Sequence, residues 1–228
     1  MRQKRIYLNI SELNLLLLAG SIFACSLVVI RVLWSLQATY ISLIWNLFLA
    51  WIPHILSYTL RKNRTKVNNK ILLYGWICLW LVFYPNAPYI ITDLFHLNER
   101  FGAPLWFDLV LIYTFAGLGM ILGLISLWDT HHVINDRFGN TRGWQFVFLV
   151  LLLSGFGIYL GRYMRWNSWD IISQTHLLTY DIWQIITSPI HNAKAYGFTI
   201  IFAFFQILVY YGFYRFIILI RKQRIFLT

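Results

Sequence analysis

Charged side chains are scarce in this chain of 228 residues, because Asp, Glu, Lys and Arg together make up only 12% of it. Soluble domains carry about 25% charged residues, which is roughly twice that share. The shortage excludes an ordinary soluble enzyme, a disordered region and a nucleic-acid-binding domain. Cysteine is also scarce, since Cys25 and Cys78 are the only two and both lie in apolar runs. A disulfide framework and a four-cysteine zinc site are therefore excluded.

Apolar sequence is abundant instead, since 59% of the residues are hydrophobic and 19% are aromatic. A helix needs roughly 20 apolar residues to cross a hydrocarbon core about 30 Å thick. Six stretches have that length, at about residues 13–36, 41–60, 71–91, 105–128, 144–162 and 196–220. We therefore predict an all-α bundle of six transmembrane helices, with residues 1–228 forming a single multi-pass membrane domain. The first stretch is too long for a cleaved signal peptide, so we expect it to remain as a span.

Basic residues outnumber acidic ones, with 19 Lys and Arg against 8 Asp and Glu. Most of these cations fall in the N-terminal segment, in loops 61–70 and 129–143, and in the C-terminal tail. Because cytoplasmic loops carry an excess of Lys and Arg, we predict that both termini and these two loops are cytoplasmic. The excess thus reports topology and does not indicate a nucleic-acid partner. We expect Asp129-Thr130-His131-His132, in the second loop, to be solvated.

Residues 163–195 are long for a plain connection and too polar to cross the membrane at low cost. Apolar residues recur among them at helical spacing, as in Ile171, Leu178 and Ile185. We predict an interfacial amphipathic helix between the fifth and sixth spans, with Ser168 as its N-cap. A seventh, partly inserted span is the alternative.

Small residues predict where helices approach closely. Glycines occur in the fourth span at 117, 119 and 123 and in the fifth span at 155, 157 and 161. Such faces let backbones come together in membranes. We predict that these two spans pack on each other through them.

The sequence Tyr84-Pro85-Asn86-Ala87-Pro88 interrupts the third span. Proline removes a hydrogen-bond donor and pushes the residue before it, here Tyr84 and Ala87, out of the α region. We predict a break in the outer leaflet, which either a cavity satisfies or neighbouring helices heal. Asp93 and His96 follow it, three residues apart and therefore on one helical face. A carboxylate beside an imidazole can orient its tautomer, so this pair is the candidate catalytic site.

Two arginines follow the fifth span, and Arg162 and Arg165 are predicted to share a helical face. Paired guanidiniums bordered by tryptophans suit a phosphate or carboxylate at headgroup level. We predict that one of them pairs with Asp170. Likewise, Arg31 is predicted to pair with Asp93 or Asp108, because ionisable residues at membrane depth are costly unless paired.

The outer half of the bundle thus collects polar side chains from several spans. The candidate binding residues are Arg31, Asn86, Asp108, Arg162, Arg165, Asn167 and Asp170, with Asn46 beside them. Three interpretations stay open. They are a polar network that only locks the bundle, an outward-facing pocket, and a catalytic site.

In the pocket interpretation, Arg162 and Arg165 hold an anionic lipid headgroup or a lipid-linked envelope substrate. In the catalytic interpretation, the protein is an envelope transferase or hydrolase in which Asp93 orients His96 as general base. A transporter and a non-catalytic scaffold are further alternatives, although the inner half offers little polar sequence besides His54 and Arg215. The chain has no HExxH or CxxC spacing and no Gly-rich phosphate loop, so we predict neither a metal nor a cofactor.

The most distinctive motifs are FYPNAPYIITDLFHL at residues 83–97, WFDL at 106–109 and GIYLGRYMRWNSWD at 157–170. In these motifs the chain resembles a bacterial integral-membrane family, the domain of unknown function 1361, from about the second span to the sixth. The resemblance implies a multi-pass protein of the bacterial cytoplasmic membrane with unknown activity. It assigns no catalytic residue.

Overall fold

The structure is a computed structural model that describes residues 10–64, 67, 69–97 and 102–226. Part of the topology prediction rests on residues outside these ranges. They are the basic residues Arg2, Lys4, Arg5, Lys66 and Arg100. Within the described ranges the chain is helical and contains no strand.

The helices follow one another along the chain with short connections. They are α1 (Ile10–Ser35), α2 (Ile41–Lys62), α3 (Lys70–Phe83), α4 (Asn86–Tyr89), a 3₁₀ segment (Ile90–His96), α5 (Leu105–Phe138), α6 (Asn140–Tyr163), α7 (Asp170–Ser173), α8 (Thr175–Thr187) and α9 (Ala193–Phe226). Six helical segments in the described residues are long and apolar enough to cross a membrane, the third being Lys70–His96. The all-α prediction with six spans is therefore confirmed.

Helix α5 lies at the centre of the bundle and packs against α1, α2, α4 and α6. Its side chains Leu111, Ile112 and Phe115 are fully buried in the largest apolar cluster. The helix has 34 residues. At 1.5 Å per residue that corresponds to about 51 Å, well beyond a hydrocarbon core of about 30 Å. Helix α5 is therefore longer than a perpendicular crossing of the hydrocarbon core requires.

The prediction that Asp129-Thr130-His131-His132 lies in a solvated loop is wrong. Helix α5 continues to Phe138, and Asp129 and His131 are buried in it. Each has a partner on another helix, because Asp129 pairs with Arg61 at 2.6 Å and His131 Nδ1 lies 2.8 Å from the Tyr210 hydroxyl oxygen. The half of the bundle that contains Arg61 and Asp129 is thus more polar than the sequence suggested.

Glycines mediate close crossings between other pairs of helices than the sequence predicted. A Cβ on Gly155 of α6 would lie 2.7 Å from the carbonyl oxygen of Thr199 on α9. A Cβ on Gly119 of α5 would lie 2.6 Å from the carbonyl oxygen of Ala87 on α4. These glycines therefore bring α6 onto α9 and α5 onto α4. The prediction that they join the fourth and fifth spans to each other is wrong.

The two ends of the bundle differ. The Asp93 end carries the 3₁₀ segment and residues 164–192, which include α7 and α8. The Arg61 end carries the last turns of α2 and α5 and the first turn of α6. The predicted helix between the fifth and sixth spans is present as α7 and α8, and the 13 residues of α8 are too few to cross a core about 30 Å thick.

Candidate functional site

The third span is interrupted at the prolines but keeps its right-handed course. Tyr84 stays in the α region, with φ −55° and ψ −42°, although it precedes Pro85. Its N–H donates to the Trp80 carbonyl at 2.9 Å, and its own carbonyl accepts from the Ala87 N–H at 3.1 Å. The prediction that Pro85 expels Tyr84 from the α region is therefore wrong. The span is broken only at the turn Tyr84–Pro85, which we call the kink, and resumes as α4. A proline can be accommodated within a continuing helix when neighbours supply partners.

Side chains satisfy the carbonyls beside the kink. Asn86 Nδ2 donates to the Phe83 carbonyl at 2.9 Å, and Ser168 Oγ donates to the Val82 carbonyl at 3.0 Å. Asn86 Nδ2 also donates to Ser168 Oγ at 2.9 Å. Ser168 is therefore not the predicted N-cap, since its hydroxyl ties residues 164–169 to the third span. Irregular backbone at membrane depth is tolerated where protein groups complete its hydrogen bonds in this way.

Arg162, in the last turn of α6, is the centre of a compact polar cluster with the 3₁₀ segment. Its Nη2 lies 2.6 Å from Asp93 Oδ1, and its Nε donates to Thr92 Oγ1 at 2.8 Å. Its Nη1 lies 2.7 Å from His96 Nε2. The guanidinium carbon also lies 4.5 Å from the centre of the Tyr89 ring. The structure thus brings the predicted residues Arg162, Asp93 and His96 together.

The contacts of Arg162 assign a role to one imidazole nitrogen. A guanidinium only donates hydrogen bonds, so His96 Nε2 accepts from Arg162 Nη1. Asp93 does not orient His96, because Arg162 lies between them. The second carboxylate oxygen of Asp93 accepts from Asn46 Nδ2 at 3.1 Å. Among the residues that the structure describes, no three His, Cys, Asp or Glu side chains come together as metal ligands would.

A cavity of about 160 Å³ lies next to this cluster, between α2, the kink, the end of α6 and residues 166–171. It is smaller than most drug-sized pockets, which measure about 300–1,000 Å³. Polar and aromatic side chains make up much of its wall. The lining includes Trp45, Asn46, Pro85, Asn86, Tyr89, Gly161, Trp166, Asn167, Ser168, Ile171 and Leu178.

Arg31 and Asp108 form a separate ion pair between α1 and α5. Arg31 Nε lies 2.5 Å from Asp108 Oδ1, and Nη2 lies 3.1 Å from Oδ2. Both residues are 0% exposed. Of the two partners predicted for Arg31, the structure selects Asp108, and neither residue lines the cavity. This pair joins α1 to the bundle.

Arg165 does not share a helical face with Arg162, so that prediction is wrong. Helix α6 ends at Tyr163, and Arg165 is exposed with a left-handed φ of 63°. Arg165 makes no ion pair or hydrogen bond within the described parts of the chain. It immediately precedes Trp166, which lines the cavity.

Asp170 pairs with neither arginine, in contrast to the prediction. Its carboxylate accepts from the Asn167 backbone N–H at 2.8 Å and from Ser173 Oγ at 2.9 Å. These bonds, the Asn167 N–H first among them, hold the pKa of Asp170 below its usual range. Asp170 therefore fixes the turn that presents Asn167 to the cavity.

Three residues of the site were not predicted as such. Thr92 and Tyr89 hold the guanidinium of Arg162, and Ser168 completes the kink. The sequence indicates Thr92 and Tyr89 only through their closeness to Asp93, since Thr92 adjoins it and Tyr89 lies one helical turn earlier. A threonine beside an acid in an apolar helix carries no spacing rule, so only the fold identifies its partner.

In a comparison with protein-family models, a family model matches residues 45–209. The match includes the cavity and the Arg162 cluster, whereas Arg31 precedes it. No curated protein matches the chain, and no solved structure does. The matched residues are more than half of the chain and contain all three distinctive motifs. The chain therefore belongs to the family described as "Protein of unknown function (DUF1361)".

Proposed function

We propose that this protein binds the polar headgroup of a lipid or of a lipid-linked envelope molecule in the cavity at the Asp93 end. The observation that carries the proposal is the cavity itself, whose wall contains three asparagines and Ser168. Polar side chains at membrane depth are costly, so such a concentration favours a binding role. The proposal covers recognition and no chemical step.

A lipid fits this cavity better than a free solute because its rim is apolar. Trp45, Trp169 and Ile171 are all exposed there, and the Trp45 and Trp169 rings lie 6.0 Å apart. Tryptophan is enriched at the interface between bilayer and water, where one side of the ring is apolar and the other wet. A headgroup in the cavity would leave its acyl chains along these surfaces.

An anionic part of the ligand would meet Arg165. Arg162 is less available for this role, because Asp93 neutralises it at 2.6 Å. Arg165 is exposed beside cavity-lining Trp166 and has no carboxylate partner among the described residues. A guanidinium at this rim suits a phosphate.

A catalytic role for Asp93 and His96 is less well supported. The Nε2 atom of His96 is occupied by Arg162, and both oxygens of Asp93 have donors. A general base needs a free lone pair within reach of its substrate. Binding therefore stands ahead of the transferase and hydrolase alternatives.

We place the protein in a bacterial cytoplasmic membrane. The charge distribution then favours an orientation in which the Asp93 end faces away from the cytoplasm. Arg61 and Arg137 lie at the opposite end, as expected for the cytoplasmic side. The cavity would then open towards the envelope.

Two neighbouring substitutions on α7 test the proposal. Ile171 lines the cavity and is 42% exposed, whereas Ile172 is 87% exposed and does not line it. We expect Ile171→Trp to fill the cavity and to reduce lipid retained through purification, measured by native mass spectrometry. Ile172→Trp, the matched control, adds the same bulk outside the cavity and should retain lipid as the parent does. Equal retention by the parent and both variants would refute the proposal.

A further inference from the structure

We infer that the part of the ligand that enters the cavity is a set of hydroxyl groups, from a polyol or a sugar, and not the phosphate. This inference rests on the proposed function and narrows its substrate class. It is carried by the direction in which three asparagine side chains point their amide groups.

The first two amides are oriented by carboxylates. Asn46 Nδ2 donates to Asp93 at 3.1 Å, and Asn167 Nδ2 donates to Asp170 at 3.2 Å. Asp93 also pairs with Arg162 at 2.6 Å, and Asp170 also accepts from the Asn167 backbone N–H at 2.8 Å. An ionised carboxylate only accepts, so the amide nitrogen must face it and the amide oxygen must point elsewhere.

The third amide is oriented by backbone. Asn86 Nδ2 donates to the Phe83 carbonyl, which can only accept, and also to Ser168 Oγ. The hydroxyl hydrogen of Ser168 is itself used on the Val82 carbonyl. Asn86 therefore uses both of its N–H groups. Asn46 and Asn167 each use one of two. All three side chains keep their amide oxygen for a ligand.

The wall consequently offers a ligand three amide oxygens as acceptors, beside one N–H each of Asn46 and Asn167. No hydrogen bond from a described residue reaches Oδ1 of Asn46, Asn86 or Asn167. The indole nitrogen of Trp166 is engaged as well, since it donates to Asp181 at 2.9 Å. Phosphate oxygens are acceptors and need donors, so three amide oxygens would hold them poorly. A group that donates is required.

A hydroxyl matches this wall better than an ammonium. An ammonium is held best by an unpaired carboxylate or a complete aromatic cage, and the nearby carboxylates of Asp93 and Asp170 are already compensated. A hydroxyl both donates and accepts, so it can bond to an amide oxygen and to the Tyr89 hydroxyl. Trp45 and Trp166 supply flat faces for the C–H groups of a sugar or polyol.

The test compares lipids that share acyl chains and differ in headgroup, added to the purified protein and followed by native mass spectrometry. Phosphatidylglycerol carries a phosphate with hydroxyls, and monoglucosyl diacylglycerol carries hydroxyls without a phosphate. Phosphatidic acid lacks the polyol, and phosphatidylethanolamine presents an ammonium. One or two hydrogen bonds of about 1 kcal/mol each predict that at least one hydroxylated lipid binds roughly tenfold tighter than the other two.

Asn167→Ala refines the test, because it removes an amide oxygen while the backbone N–H that Asp170 accepts is kept. We expect it to weaken the hydroxylated lipids several-fold and to leave phosphatidic acid unchanged. Preference for phosphatidylglycerol over the glycolipid would assign the hydroxyls to a phospholipid, and the reverse would assign them to a sugar.

Two results separate this inference from the proposed function. If phosphatidic acid or phosphatidylethanolamine binds as tightly as the hydroxylated lipids, and Ile171→Trp still abolishes that binding, the inference is overturned while the cavity remains a headgroup site. If Ile171→Trp affects no lipid, both the inference and the proposed function fail.

Discussion

The positive charges of Arg31 and Arg162 are paired in contrasting ways. Arg31 meets the carboxylate of Asp108 as a fork, with both residues sealed from solvent. Arg162 divides its donors among Asp93, Thr92 and His96. In the first case a charge is neutralised between helices, and in the second one side chain organises a short segment.

Removing one partner of the Arg31–Asp108 pair should be more harmful than removing both. Asp108→Ala leaves a buried guanidinium charge, which costs on the order of 3–5 kcal/mol, whereas an apolar replacement of both partners is often close to neutral. We expect Arg31→Met with Asp108→Leu to recover most of the stability lost in Asp108→Ala. Reversible unfolding in detergent measures the difference.

The control for this prediction is the more open pair Arg64–Asp136, whose side chains are 39% and 28% exposed. Asp136→Ala should cost less than about 1 kcal/mol, because exposed pairs are screened by solvent. A double variant no more stable than Asp108→Ala would contradict our view of the Arg31–Asp108 pair.

His96 should tolerate an acceptor and reject a cation. In His96→Gln the amide oxygen can accept from Arg162 as Nε2 does, so we expect a melting temperature close to that of the parent. In His96→Lys a second positive charge faces the guanidinium and the bond is lost, which should lower stability by about 1–2 kcal/mol. His176→Lys, on the exposed part of α8, controls for the added charge. Equal melting temperatures for the two His96 variants would show that Nε2 is not an essential acceptor.

Sequence reasoning located these residues better than it paired them. It placed Arg31, Asp93, His96, Asp108 and Arg162 at one depth, because hydropathy fixes where each span begins and ends. Partner choice depends on rotation about each helix axis, which the sequence does not report. The prediction that Arg165 shares a helical face with Arg162 is wrong for a further reason. Helical spacing applies only within a helix, and α6 ends at Tyr163.

Helices of this bundle are held at contrasting distances. Helix α6 meets α9 so closely at Gly155 that an added Cβ would press on the Thr199 carbonyl. By contrast, Gly197 and Gly212 of α9 have nothing within 4 Å of an added Cβ. Only the first glycine is required by the packing.

This contrast predicts opposite effects of the same substitution. Gly155→Ala should destabilise the protein by about 1–3 kcal/mol, because the two backbones must separate. Gly212→Ala should be neutral or stabilising by up to about 1 kcal/mol, because alanine favours a helix over glycine. Thermal unfolding in detergent distinguishes the two. A loss of stability in both variants would contradict the assignment of Gly155 to the crossing.

Element boundaries could be predicted only where the bilayer sets them. The six spans follow from hydropathy, which predicts that the fourth span ends at residue 128, where its apolar run ends. The helix continues for another ten residues to Phe138, since Asp129 and His131 find partners on α2 and α9. Polar residues with partners sustain a helix outside the hydrocarbon, and a hydropathy pattern does not reveal them.

For the molecule as a whole, the charge distribution predicts which end faces the cytoplasm. In a variant without Cys25 and Cys78, Ile190→Cys would report the Asp93 end and Thr141→Cys the Arg61 end. Both positions are exposed. We expect a membrane-impermeant maleimide to label Ile190→Cys in intact spheroplasts and Thr141→Cys only after lysis. The reverse pattern would invert the topology and place the cavity on the cytoplasmic side.

The seating of α1 has a practical consequence for anyone who shortens this protein. The family match begins at residue 45, so an expression plasmid trimmed to it would discard Arg31 and keep Asp108. The Asp108 carboxylate would then lie in the interior without Arg31. The destabilised protein would be more susceptible to degradation by cellular proteases. Preparations for biochemistry should therefore retain α1 even when only residues 45–209 are of interest.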